Sequence, residues 1–406
     1  MLFIRSLLEN DLYKYTMGQV FYHNPQFRNL TVKWAFKCRE KDIKFSQNVI
    51  NDICYQIREF KKLEYKDDEI EYLKSIRFLK DDFVEFLRNW KPNTDIINII
   101  YHPLTEELEL IFEGNILDAT FLETPIMAII CECYYKSLPN YDEIYKLHIE
   151  RIKGIYEKFE LKEYNFNYSD FGFRRRLSYD AQYESIKILM KNEHFVGTSN
   201  VYLAKLFNIK PVGTMAHEYF MMGQYVFKDD VKKINEKMLK IWLDEYSKNE
   251  NERYPEVLTC LTDTLTTKSF LRDTDENILN QFIGFRHDSG NPYDWFKNVH
   301  KYMRKLNEDD KLPKINEESQ KLYLFSDSLS FNKANEIYEK LKSKGKIAFG
   351  IGGSICSPRL HDFVDMNIVI KPVEVNHQPV VKLSDCEGKN MCMDEKYIKM
   401  MKDNVK

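Results

Sequence analysis

The sequence predicts an α/β barrel with a smaller α/β domain assembled from both ends of the chain. Three observations carry this. From about residue 168, short apolar stretches end in polar clusters and are followed by segments of helix length, seven times over. That alternation argues for a parallel sheet. Chemically equipped residues follow stretch after stretch, as at the C-terminal ends of barrel strands; an open doubly wound sheet gathers them near one switch point. Lastly, Met366–Val375 and Pro379–Leu383 read as strands around Asn376-His377-Gln378. They fit a hairpin that joins strands from the N-terminal part.

Bulk properties set the frame. A chain of 406 residues exceeds one ordinary core. Its formal net charge is -3 with both signs well mixed, so neither nucleic acid nor an anionic membrane is the expected partner, and any phosphate site must be local. The cysteines (Cys38, Cys54, Cys131, Cys133, Cys260, Cys356, Cys386 and Cys392) are scattered and match no zinc spacing. Free thiols in a reducing cytoplasm are expected. Arg5, Glu9 and Asp11 interrupt any signal-peptide core, and no uncharged run reaches membrane-spanning length.

Taken in order, residues 6–24 place Leu7, Leu8, Leu12, Tyr15, Val20 and Phe21 on one helical face. Asn29–Phe36 reads as a strand alternating Val32, Trp34 and Phe36. Residues 39–98 are charged and helical in pattern and carry no evident chemistry. Glu107–Phe112 reads as a strand and Glu113-Gly114-Asn115 as a turn. Thr124-Pro125 opens an apolar helix through Tyr135, proline being suited to a first turn. The domains expected are 1–123 completed by 362–406, and a barrel over 124–361. The polar endings within the barrel are 170–176, 197–200, 213–217, 261–264, 284–290, 325–328 and 350–354.

Several endings suit a particular chemistry. His217, beside a Gly-Thr turn, can shuttle a proton, accept a phosphoryl group or ligate a metal, or it can simply be packed. Arg174, Arg175 and Arg176 offer donor forks for phosphate or carboxylate, or form a solvated basic run. Arg286 and Asp288 put a cation and a carboxylate at one strand end. The carboxylate suits ribose hydroxyls or Mg²⁺ through water, and a structural ion pair is the alternative. Asp263 and Ser326-Asp327 repeat the carboxylate elsewhere. Gly350-Ile351-Gly352-Gly353-Ser354 lets backbone N–H groups approach an anion, without the spacing or lysine of a P-loop. Together these suit a sugar-phosphate or nucleotide enzyme. A glycosidase needs two dominant carboxylates and no phosphate cradle.

With these motifs in order, the chain resembles the nicotinate phosphoribosyltransferases, particularly the short bacterial form. The resemblance rests on Asp11-Leu12-Tyr13-Lys14-Tyr15-Thr16-Met17, Val32-Lys33-Trp34-Ala35-Phe36-Lys37-Cys38-Arg39, the Arg174 cluster, Gly197-Thr198-Ser199-Asn200, Gly213-Thr214-Met215-Ala216-His217-Glu218, Asn367-Ile368-Val369-Ile370-Lys371 and Lys382-Leu383-Ser384-Asp385. It implies the irregular α/β barrel of the type II phosphoribosyltransferases with a small domain from both chain ends. It implies nicotinate mononucleotide and pyrophosphate made from nicotinate and phosphoribosyl pyrophosphate with Mg²⁺, coupled to ATP hydrolysis through a phosphohistidine at His217, in a cytoplasmic homodimer. By the same resemblance, Tyr13 and Phe171 sandwich the pyridine ring, with Tyr13 coming from the same chain or from the partner subunit. Arg174, Thr214 and Arg286 surround its carboxylate and the pyrophosphate. Arg175 and Ser326 join the phosphate contacts, Asp288 and Asp327 serve ribose and Mg²⁺, and Gly352, Gly353 and Ser354 hold the 5′-phosphate.

Phe173, Asn291 and Gly353 depart from the short nicotinate form toward the sister nicotinamide phosphoribosyltransferases, which makes nicotinamide mononucleotide the alternative product. Those sisters carry an aspartate where this chain has Ser199, and a carboxylate there would repel nicotinate. A catalytically silent relative would show a broken set, whereas His217, Arg174, Arg286, Asp288 and Asp327 are all present.

Overall fold

The structure is a computed structural model that describes residues 2–308, 321–361, 363–386, 392 and 394–405. Among these the strands are β1 (Thr31–Cys38), β2 (Ile97–His102), β3 (Glu107–Asn115), β4 (Asn167–Asp170), β5 (Phe195–Thr198), β6 (Thr259–Leu261), β7 (Gly284–His287), β8 (Leu322–Phe325), β9 (Lys346–Ile351), β10 (Ile368–Val375) and β11 (Gln378–Pro379). The chain forms two compact units. The first holds Met1–Gly213, Ser328–Phe331 and Gly350–Lys371; the second holds Thr214–Asp327, Asn332–Phe349 and Pro372–Lys406.

In the first unit β3 pairs antiparallel with β1, Thr31 opposite Asn115, and with β2, Ile97 opposite Phe112. The residues of β10 that belong to this unit border β1 on its other side, as the hairpin reading expected. Val32 and Trp34 point inward two residues apart, as strand alternation dictates, and Trp34 stacks on Phe112 with centroids 5.7 Å apart. The expected turn at Glu113-Gly114-Asn115 is instead the end of β3. Its pairing with Thr31, Val32 and Lys33 outweighs the turn-forming residues. The charged stretch contains the helices Gln47–Phe60, Asp67–Ser75 and Asp81–Asn89 and then β2, a strand that the reading of 39–98 as helical did not include. The first helix spans Leu12–His23; residues before it turn through Glu9 N to Ser6 O and Asn10 N to Leu8 O.

The largest departure is the helix Ile116–Lys136, buried on nearly every side, which contains Pro125 in its interior. Asn115 caps it by accepting from Leu117 N at 2.9 Å. The helix is therefore continuous across residue 124, where the sequence placed a helix start and a domain boundary. Interior proline removes the N–H that would serve the carbonyl four residues back, here that of Phe121. Asn10 Nδ2 donates to that carbonyl at 3.0 Å, and Thr124 Oγ1 donates to Asn10 Oδ1. Asn10→Ala should lower stability by about 1–3 kcal/mol, the usual cost of leaving a buried carbonyl without a donor. Thermal unfolding measures it, and an unchanged midpoint would refute the substitute-donor account.

The first unit also contains the parallel pair β4–β5, with Phe171 N donating to Ile351 O at 2.9 Å where the last residues of β9 enter it. The strand expected before Gly213 is only a bridge between Thr198 and Pro211, since proline brings no N–H to a ladder.

The second unit is built on parallel strands β6, β7, β8 and the first residues of β9, with Thr259 opposite Gly284, Gly284 opposite Leu322 and Leu322 opposite Lys346. Phe285, Phe325 and Phe349 are buried, and Trp295 packs on Phe325 at 5.3 Å. Cover on both faces explains why these strands read as unbroken apolar runs. Asn376 and His377, at φ 46 and 61, form the two-residue turn between β10 and β11. The second strand is shorter than Pro379–Leu383 because Val381 gives its N–H to Gln224 Oε1 at 2.8 Å and takes Gln224 Nε2 on its carbonyl at 2.6 Å. No helix among the described residues is long and apolar enough to cross a membrane.

Candidate active site

In the first unit the organising group is Asp170, at the end of β4 and fully buried. Its Oδ1 accepts from Gly172 N at 2.8 Å and Cys356 Sγ at 3.2 Å; its Oδ2 accepts from Thr198 Oγ1 at 2.7 Å and Gln182 Nε2 at 2.9 Å. Burial pushes this carboxyl up from the usual range, and the four donors oppose that. The carboxylate thereby ties together three segments that carry candidate residues: Phe171 and Arg174, then Ser199, then Gly352 to Ser354. The Phe171 ring lies so close to Gly350 that an added Cβ would sit 2.3 Å from it, so only glycine fits there.

The hydroxyl of Tyr13 accepts from Arg174 at 2.7 Å, so an aromatic face and a guanidinium are joined from chain segments 161 residues apart. Ser199 is buried, and its Oγ donates to Asp11 Oδ1 at 2.6 Å. Burial raises the Asp11 carboxyl to about 6, with Arg174 and Ser199 pulling it back. Asp11 stands in the quoted N-terminal motif, but the sequence reading gave it no role; its partner lies 188 residues away. Arg175 turns its Nε to the carbonyl of Ile368 at 3.0 Å, and Ser354 Oγ donates to Leu329 O at 2.8 Å. Both thus hold backbone.

In the second unit His217 is the first residue of the helix His217–Val226 and is 3% exposed. Its Nε2 lies 2.9 Å from Asp288 Oδ2 and its Nδ1 3.0 Å from Thr264 Oγ1. Burial, then the nearby Lys382 ammonium, lower its pKa to about 4 against the pull of Asp263 and Asp288. The imidazole is therefore neutral near pH 7. Asp288 only accepts, so Nε2 carries the proton and Nδ1 accepts from the threonine hydroxyl. The ring's basic lone pair therefore lies at Nδ1, and the threonine hydroxyl, able to accept as well as donate, can pair with Nδ1 in either tautomer.

Burial works against the charge on Asp288, but Arg286, His217 and Lys382 hold its carboxyl well below the usual range. Ser326 Oγ donates to Asp288 Oδ1 at 2.8 Å, and Arg286 lies 3.6 Å from that oxygen while donating to Met215 O at 3.1 Å. Thr214 Oγ1 donates to Thr259 O at 2.7 Å. Asp263 Oδ2 takes Ser289 Oγ at 2.5 Å and lies 3.5 Å from Lys382; its buried Oδ1 has no hydrogen-bond partner. One atom each of His217, Asp263 and Asp288 lie within 4.8 Å of one another, so this trio could hold a metal ion. Asp327, named with Asp288 for Mg²⁺ on resemblance, is outside that trio, just past β8. Lys382 and Thr264 were quoted in strand-end and C-terminal motifs without a role; a lone Lys or Thr in sequence signals none.

Two family models match the chain: the nicotinate phosphoribosyltransferase (NAPRTase) family over residues 166–406 and the N-terminal domain of that family over 8–131. The nicotinate phosphoribosyltransferase of Psychromonas ingrahamii is 33% identical over 406 residues, covering 98% of this chain and 94% of that protein. That of Burkholderia mallei is 34% identical over 403 residues, covering 97% and 95%. Crystal structures of nicotinate phosphoribosyltransferases from Porphyromonas gingivalis and Vibrio cholerae superpose with TM-scores of 0.85 and 0.86 at 26% and 28% identity, each over 99% of this chain and over 99% and 94% of theirs. The fold is thus the α/β fold of the type II phosphoribosyltransferases that the resemblance implied, and the chain belongs to the nicotinate phosphoribosyltransferase family.

Proposed function

We propose that this chain, acting as a homodimer, makes nicotinate mononucleotide and pyrophosphate from nicotinate and phosphoribosyl pyrophosphate in NAD biosynthesis, and hydrolyses ATP through a phosphohistidine at His217. The observation that carries the reading is His217 itself, buried and neutral between a carboxylate and a hydroxyl that can serve either tautomer. A neutral imidazole has the lone pair that attack on a phosphoryl group requires. Phosphorylation would add negative charge beside Arg286 and Lys382, drawing both cations inward.

In the first unit Tyr13 and Phe171 offer planes for a pyridine ring, and Arg174 a partner for its carboxylate. Gly352, Gly353 and Ser354 suit the 5′-phosphate. In the second unit Arg286, Ser326, Asp288 and Asp327 suit ribose and pyrophosphate. The new bond forms from the pyridine nitrogen to C1 as the bond from C1 to the pyrophosphate oxygen breaks; arginines stabilise the charge gathering on that oxygen. The carboxylate oxygens of Asp263 and Asp288 suit a hard cation such as Mg²⁺, one of them lacking any protein donor. When bound, the ion supplies charge neutralisation.

Ser199 supports nicotinate, since it brings no charge of its own to meet the substrate carboxylate. One observation favours nicotinamide as the substrate: Ser199 leads directly to the Asp11 carboxylate. Turnover measured side by side with nicotinate and nicotinamide, with and without ATP, decides between them. Product from nicotinate, stimulated by ATP, is the expected result; turnover of nicotinamide alone would overturn the reading.

A further inference from the structure

The helix Tyr141–Glu160 carries Arg151, whose guanidinium is spent on the segment that follows Gly352 and Gly353. One terminal nitrogen donates to Ser354 O at 2.7 Å, and Nε to Pro358 O at 3.1 Å. The other terminal nitrogen donates to Ser357 O at 3.1 Å and to His148 Nδ1 at 3.2 Å. Since His148 Nδ1 accepts, its Nε2–H donates to Ser185 Oγ at 2.9 Å, and burial holds the ring neutral with a pKa of about 3. The guanidinium is thus fixed from behind by a neutral histidine and occupied in front by carbonyl oxygens. Those oxygens belong to the short turn Gly353–Cys356 and the residues after it, which are too few to satisfy their own carbonyls. Two hydroxyls add to the hold, Ser354 Oγ on Leu329 O and Ser357 Oγ on Arg175 O.

We propose that Arg151 is a positioning residue for the 5′-phosphate of phosphoribosyl pyrophosphate: it fixes the Gly352–Ser354 loop through backbone carbonyls at and after Ser354, with His148 holding its remaining donor. This rests on the reading above, in which that loop takes the phosphate. The role needs the planar fork as well as the charge, because one compact ammonium cannot span Ser354 O and Pro358 O together. It also separates the substrates, since Arg151 makes no contact with Tyr13, Arg174 or Ser199 among the hydrogen bonds described.

The test is steady-state kinetics on the full chain and on Arg151→Lys and Arg151→Met, with ribose 5-phosphate binding followed by calorimetry. In Arg151→Met the KM for phosphoribosyl pyrophosphate should rise about tenfold to a hundredfold while that for nicotinate moves less than about twofold, as a loop displaced by a fraction of an ångström predicts. Ribose 5-phosphate binding should weaken in parallel, with Arg151→Lys in between. If Arg151→Met does not fold, Arg151→Lys decides alone. A lower melting temperature with both KM values unchanged, or both raised equally, overturns the positioning role. Wild-type chain that binds ribose 5-phosphate but does not turn over nicotinate overturns instead the reading on which it rests.

Discussion

His217→Asn is expected to abolish acid-labile phosphate on the protein after incubation with ATP and to remove all stimulation of turnover by ATP. Asparagine keeps much of the volume and one donor toward Asp288, so the second unit should keep its packing. What it lacks is the nucleophilic ring nitrogen. If ATP cleavage drives productive binding, the KM for nicotinate at saturating ATP should rise about a hundredfold, near 3 kcal/mol in transition-state terms. The structure adds a graded companion. Thr264→Val removes the hydroxyl that pairs with Nδ1 at 3.0 Å. It leaves the imidazole but withdraws the group that lets it change tautomer, so phosphoenzyme should still form, about tenfold more slowly. Full phosphorylation of His217→Asn would place the acceptor elsewhere and end the phosphohistidine proposal.

The second large effect is expected at Ser199→Asp. In the present chain the serine hydroxyl donates to a buried carboxylate whose pKa already sits near 6. An aspartate there confronts Asp11 at hydrogen-bond distance, and two carboxylates so placed cannot both ionise. They would share one proton, so the total charge matches that of the present chain, but part of it moves from Asp11 onto residue 199, next to the ring site. Nicotinate, itself an anion, would then meet like charge at close range and be disfavoured by about 3–4 kcal/mol, the repulsion of two unit charges roughly 4 Å apart at an effective dielectric near 20. Its kcat/KM should fall by two to three orders of magnitude, while nicotinamide gains an acceptor for its amide. Ser199→Asn separates charge from size, since it adds volume without an acid. If Ser199→Asp keeps its preference for nicotinate, the pyridine carboxylate is not read at this position.

Much of this was legible in the sequence, for identifiable reasons. Parallel strands covered on both faces leave uninterrupted apolar runs such as those ending at Phe325 and Ile351, and their polar endings stand out. What stayed hidden depends on partners remote in the chain. Asp170 looked like the first residue of a motif, but its four donors come from 172, 182, 198 and 356. Asp11 and Ser199 gain meaning only through each other. The strand Ile97–His102 went unnoticed because it exposes alternate residues, Asn98 and His102 among them, and follows a polar turn. Pro125 was placed at a helix start because proline usually belongs there, and nothing local reveals that Asn10 supplies what it lacks.

That substitution has a consequence for variation among relatives. A proline within a buried helix is tolerable only while a donor from elsewhere reaches the carbonyl it abandons, and Asn10 can be lost freely only where residue 125 has an N–H of its own. The two positions are thus not independent letters. Either change alone should be rare in related chains, whereas the pair should change together, and in the laboratory Pro125→Ala should rescue Asn10→Ala more than additivity allows. An interaction that joins position 10 to the middle of the most buried helix would thus leave its trace as a correlated pair of substitutions, visible to anyone reading sequences without a structure.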